Sequence, residues 1–267
     1  MADSSTEGLE IDNEDGVTTV RLTRPTRHNA IDNETSIELA TFFNGATTDR
    51  SVRAIVVTGV DRVFCTGADV VRKGSERALD RGPLDYRYAT EPLRRMFHAM
   101  WEVEKPVISA VNGTVAGAGW MLALLADLVV ADREARWTHV FSRRAMVPHA
   151  GDSYYLPRII PFHRLNEIAL LSDTLTTETL ADWGLVNRSV GAENVFPTAM
   201  ELAQRLANGP TRTLGLTKRL YRHSLSNNAE ASFEEERNAM ALVSTTHDRK
   251  EGVRSFVEGR TARFIGD

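Results

Sequence analysis

Lys105-Pro106-Val107-Ile108-Ser109-Ala110-Val111-Asn112-Gly113-Thr114-Val115-Ala116-Gly117-Ala118-Gly119-Trp120 reads as a buried strand, a turn of small residues and the entrance to a helix. Val107–Val111 is mostly apolar and partly β-branched, and Asn112-Gly113 ends it. The pattern predicts a short helix at 120–126 and a further strand at 128–131. A strand, a small-residue turn, a helix and another strand make one parallel crossover unit.

The same grammar extends upstream. Val17–Leu22 alternates apolar and polar residues as a strand, Arg24-Pro25 ends it, and Asp32, Asn33 and Glu34 can start a helix reaching about Ala46. Residues 51–58 form a second buried strand closed by Gly59, followed by a loop at Phe64-Cys65-Thr66-Gly67-Ala68-Asp69. Residues 70–90 are charged and weakly periodic, which predicts a mobile cover over a site. Residues 93–103 have helical spacing. From Glu167 onward nearly every segment reads as helix, at 166–172, 177–183, 196–207, 212–224, 232–244 and 248–258. The expected division is an α/β core over 1–195 and a helical region over 196–267.

Composition narrows the function class. Of 267 residues, 42% are hydrophobic and 25% charged, an ordinary globular mixture able to bury a core without a disulfide or a metal. Lys and Arg total 32 against 36 Asp and Glu, a net charge of −4 that gives no electrostatic case for nucleic acid. Cys65 stands alone, so no intrachain disulfide forms. The acidic start lacks the pattern of a signal peptide, and no apolar run reaches the roughly 18–20 residues that span a bilayer. A cytoplasmic protein without membrane contact is expected.

The turn at 117–119 leaves unpaired N–H groups at a helix start, suited to a phosphate or a developing oxyanion. As a dinucleotide fingerprint it fails, because Leu122 stands where the third glycine belongs. No P-loop, HExxH or GxSxG motif occurs, and no cluster of metal ligands. The Thr66-Gly67-Ala68-Asp69 loop is a second small-residue turn after a strand. Two such loops can aim two backbone N–H groups at one oxygen, polarising a carbonyl and stabilising an enolate. A tight turn without a ligand is the plainer reading of either loop alone.

Six stretches together carry a resemblance: Arg24-Pro25-Thr26-Arg27-His28-Asn29-Ala30, Phe64-Cys65-Thr66-Gly67-Ala68-Asp69, 105–113, Ala181-Asp182-Trp183-Gly184-Leu185-Val186-Asn187, Thr217-Lys218-Arg219 and Phe256-Val257-Glu258-Gly259-Arg260. In this order they resemble the enoyl-CoA hydratase/isomerase (crotonase) superfamily. The resemblance implies a spiral of βαβ units, a C-terminal helical region used in forming a homotrimer or homohexamer, and an acyl-CoA thioester substrate. It implies an oxyanion hole made by the N–H groups of Ala68 and Ala118. It places the CoA moiety against Arg27, Ala30, Ala68 and Lys73, with Arg72 and Arg260 as further cations, and no cofactor beyond that moiety.

The catalytic acids depart from the hydratase pattern. Similarity would place glutamates at 121 and 141, where this chain has Met121 and Phe141. Neither side chain can activate water or deliver a proton. The stretch from Phe141 to Asp152 resembles the isomerase branch, in which an aspartate after Val-Pro serves as acid/base; here that place is His149. Histidine can carry a proton near neutral pH, and Asp152 can orient it, unless it caps a helix beginning near Ser153. His149 can equally be a packed loop residue. Cys65 reads as a packed small side chain, His98 as structural or solvated, His139 as a residue that alternation can turn toward the site, and Asp69 as a brace for its loop. Residues 74–92, which include Tyr86, Tyr88, Asp80, Asp85 and Glu91, are expected to cover the acyl end, and their acids are alternatives for the missing glutamates. The function expected is thioester enolate formation with isomerisation. The alternatives are a hydratase with a non-standard acid/base and a catalytically silent acyl-CoA-binding oligomer.

Overall fold

The structure, a computed structural model, describes residues 4–6, 8–69 and 82–267. β1 (Ser4–Thr6), β2 (Leu9–Glu14) and β3 (Val17–Leu22) run as an antiparallel meander. Helix α1 (Asn33–Ala46) starts at Asp32, whose carboxylate accepts from the Thr35 N–H at 2.9 Å, and leads to β4 (Ala54–Gly59) and β5 (Val63–Cys65). α2 (Pro83–Ala89) and α3 (Glu91–Glu102) precede β6 (Val107–Val111) and β7 (Thr114–Ala116). α4 (Ala118–Leu124), β8 (Leu128–Asp132) and β9 (Arg136–Thr138) follow. Then come α5 (Asp152–Ile159), α6 (Phe162–Leu171), β10 (Thr174–Thr176), α7 (Thr177–Asp182) and β11 (Arg188–Val190). The chain ends in α8 (Ala192–Ala207), α9 (Thr211–Ser224), α10 (Ala229–Ser244) and α11 (His247–Glu258).

Among the described residues the strands form a sheet ordered β1-β2-β3-β4-β6-β8-β11 and a smaller one ordered β10-β9-β7-β5. The pairs from β3 through β11 are parallel, as are β5, β7 and β9. The expected crossover topology is therefore present. β4 and β6 are buried along their whole length because both faces are covered. Ile55 and Val57 face the main core with α1 and α3, while Ala54 and Val56 face Ala199, Ala203 and Ala207 of α8. That is the period-two alternation of a strand between two layers.

Several bounds differ from expectation. α4 begins at Ala118, two residues earlier than read, and β7 lies inside what was read as a turn. β10 and β11 interrupt the stretch expected to be helical. The division expected at 195/196 falls within α8, which packs on the main sheet. Most of the covering segment, with Arg72, Lys73 and Asp80, lies outside the described residues. Among those described, no helix is long and apolar enough to cross a membrane.

Candidate active site

β5 and β7 are parallel neighbours, so their C-terminal ends deliver two loops to one edge of the small sheet. The loops touch backbone to backbone. A Cβ on Gly67 would lie 2.7 Å from the Ala118 nitrogen, and one on Gly119 would lie 2.2 Å from the Cys65 carbonyl oxygen. Gly67 has φ +93° and Gly117 φ +53°, conformations that leave glycine alone unstrained.

Ala68 lies opposite Ile31, which donates to the Gly67 carbonyl and accepts from the Asp69 N–H. Strand N–H groups alternate in direction, so the Ala68 N–H faces away from Ile31. Ala118 opens α4, where the first N–H groups have no acceptor within the helix. Among the described residues neither N–H donates to a protein acceptor.

The Asp69 carboxylate, 2% exposed, accepts from Arg24 at 3.0 Å and from Arg27 at 2.6 and 3.3 Å. Asp69 thus braces its loop through two guanidinium groups. Arg27 is tied into that brace, and the Asp69 bond raises its pKa. Arg24 also donates to the Ala30 carbonyl at 2.8 Å, and Ala30 is buried. Asn29, in the left-handed region, donates to the Val60 and Val63 carbonyls and fixes this turn on the β4–β5 connection. Arg24 and Arg27 thus join the 24–30 turn to Asp69, the residue after Ala68; Lys73 lies outside the described residues.

Met121 is fully buried in the main apolar core, and Phe141 is buried against the His139 and His149 rings. His149 is half-buried, and its ring meets Phe141 edge-on at 4.9 Å between centroids. Burial lowers the His149 pKa from 6.5, against an opposing pull from the Asp152 charge. The Asp152 carboxylate does not hydrogen-bond the His149 ring, nor does it cap a helix. Its carboxylate meets His139 Nε2 at 2.7 Å. The expected His149–Asp152 couple is corrected to His139–Asp152, because Asp152 is the first residue of α5 and turns inward beneath the loop. His139 is fully buried and packs edge-on against Phe141 at 4.8 Å and Trp120 at 5.9 Å. The only sequence signal for it was its place two residues beyond the buried Trp137.

Cys65 is buried with its thiol pushed up to about 12, so it offers no thiolate. His98 is exposed on α3. In the described end of the covering segment, Tyr86 and Tyr88 are exposed, and Glu91 is held at about 2 by hydrogen bonds from Arg94 and Arg95. A carboxylate that acidic is no proton donor near neutrality.

Residues 12–267 match the model of a family described as enoyl-CoA hydratase/isomerase. The chain is 34% identical over 256 residues to the 1,2-epoxyphenylacetyl-CoA isomerase of Escherichia coli (strain K12), covering 95% of this chain and 96% of that one. It is 30% identical to 4-chlorobenzoyl coenzyme A dehalogenase-1 of an Arthrobacter species, over 92% and 90% of the two chains. The crystal structure of an enoyl-CoA hydratase/isomerase from Cupriavidus metallidurans CH34 superposes with a TM-score of 0.91 at 28% identity, covering 98% of each chain.

Proposed function

The chain belongs to the enoyl-CoA hydratase/isomerase (crotonase) superfamily, and from that premise we propose that it isomerises an acyl-CoA thioester through an enolate. In this reading the Ala68 and Ala118 N–H groups hold the thioester oxygen, and His149 carries the proton. The Cα–H bond breaks, its proton passes to a ring nitrogen of His149, and the electron pair moves onto the oxygen. Reprotonation at a different carbon shifts the double bond, and no water is added. Donors aimed at a developing oxyanion are worth about 3 kcal/mol each.

The observation that carries this proposal is the exchange of chemistry around Phe141. Both expected glutamate positions are apolar and buried, while an imidazole packs directly on one of them. Burial favours the neutral imidazole, the form able to accept a proton. Arg27, Ala30, Ala68 and Lys73 are assigned to the CoA moiety, with no further cofactor. The ring-bearing thioesters named for two relatives favour an acyl group that carries a ring. A homotrimer or homohexamer in the cytoplasm completes the proposal, supported by apolar side chains exposed on the C-terminal helices, Phe256 and Val257 among them.

The test is mass spectrometry of saturated, 2-enoyl and 3-enoyl CoA thioesters, aliphatic and aromatic, incubated with the protein in heavy water. Deuterium uptake or a moved double bond without a gain of water is expected, and His149→Ala should lower the rate by roughly 10²–10⁴-fold. A mass gain of one water would point to a hydratase with another acid. Ligand binding with no exchange would favour the silent acyl-CoA-binding oligomer.

A further inference from the structure

A buried carboxylate that lacks a donor or a cation is strongly destabilising. The Asp152 side chain is 4% exposed, and its partner His139 is fully buried. His139 lies across Phe141 from the proposed proton carrier. His139, Phe141 and His149 form a row of edge-on rings with spacings of 4.8 and 4.9 Å. His139 is itself fixed, because Ser172 donates to its carbonyl at 2.6 Å. Asp152 in turn ties down the end of the loop carrying His149: its N–H donates to the His149 carbonyl at 3.3 Å, beyond the left-handed Ala150 and Gly151. The Nδ1 atoms of both imidazoles are buried without a partner among the described residues.

We propose that His139 and Asp152 are positioning residues, a buried pair that holds Phe141 against the His149 imidazole and supplies the negative charge that offsets its protonation during turnover. The inference rests on the reading of His149 as the proton carrier. The pair exchanges no proton with substrate; the travelling proton leaves carbon for His149 and returns to carbon. Asp152 faces His149 from α5, and His139 faces it across Phe141. Arg143 and Arg144, on the preceding turn, are exposed to solvent, and Tyr155 of α5 turns onto Trp101.

Two readouts test it. Nitrogen NMR of histidine-labelled protein, with the His149 signal assigned by its loss in His149→Gln, follows the imidazole titration without any substrate. Steady-state kinetics on the thioester found by the panel separate kcat from KM. Asp152→Asn should move the His149 titration down by about one pH unit, the usual size of an environmental shift. It should lower kcat roughly 10–100-fold with KM little changed, as for loss of a group that orients a reacting imidazole. Asp152→Glu should recover part of both effects. Because an unpaired His139 can impair folding, H139L/D152L removes the whole pair in favour of apolar packing, which proteins often tolerate. The same shift and loss are expected there.

A His149 titration and kcat equal to wild type, with only a lowered Tm, would overturn the proposal and leave the pair a scaffold. Failure of every thioester to react would instead overturn the proposed function, and the NMR titration would still decide the pair. An unmoved titration in both variants overturns the charge assignment.

Discussion

Phe141 touches two imidazoles and exposes almost none of itself, so it sets the environment in which His149 titrates. Burial penalises the imidazolium, and the folded pKa lies below 6.5. Only the neutral ring accepts a proton, so kcat/KM should hold steady above pH 6.5 and fall as pH drops through the lowered value. A pH–rate profile of the wild-type protein checks this, and an acid limb centred above 6.5 would contradict it. At this scale the sequence disclosed which residue types were present but not which of them met. His149 and Asp152 are three residues apart, a spacing that invites pairing. Asp152, however, enters α5 and reaches His139, thirteen residues back. That encounter depends on how the loop folds over β9, and no local pattern encodes it.

The elements meet at two places where small changes should be costly. The hydrogen of Gly119 points at the Cys65 carbonyl oxygen, leaving no room for a methyl group. Gly119→Ala should therefore push α4 from the β5 loop and cost about 1–3 kcal/mol of stability. It should also misplace the Ala68 and Ala118 donors, with a rate loss on the order of 10²-fold. Denaturant unfolding and turnover measured on one preparation test both. At the far end of α4, Arg222 of α9 donates to the Leu125 carbonyl and to Asp127, and Lys218 joins the same carboxylate at 2.8 Å. Burial lowers Lys218 to about 8. Between that value and the unfolded one near 10.4, the unfolded chain holds a proton that the folded chain has released. Stability should then rise with pH by up to about 1.4 kcal/mol per unit relative to Lys218→Met. Unfolding of both proteins at pH 8, 9 and 10 measures the difference; a constant gap would count against the shift. The long elements were legible because Val107–Val111 and the helices carry their own periodicity. β7, β10 and β11, three residues each, are strands only by virtue of their neighbours.

Across the whole molecule, two layers of helix cover the sheet, yet the last helices leave apolar side chains in water. Phe256 is 87% exposed and Val257 79%. In the proposed oligomer these groups meet a second copy, so Phe256→Asp should reduce the mass measured by light scattering after size exclusion. An unchanged mass would place the contact elsewhere. The overall α/β plan was readable from alternating strands and helices, whereas the surface facing a partner carries no periodic mark. One consequence reaches into descent. Met121 is sealed in the main apolar core, where a glutamate would be a buried charge among apolar side chains, whereas a glutamate at 141 would meet the His139 and His149 rings. A lineage drifting toward two-glutamate chemistry through Met121 first would have to cross an intermediate less stable than its starting point. The sealed site at Met121 therefore works as a ratchet, which slows reversal even where selection would reward it.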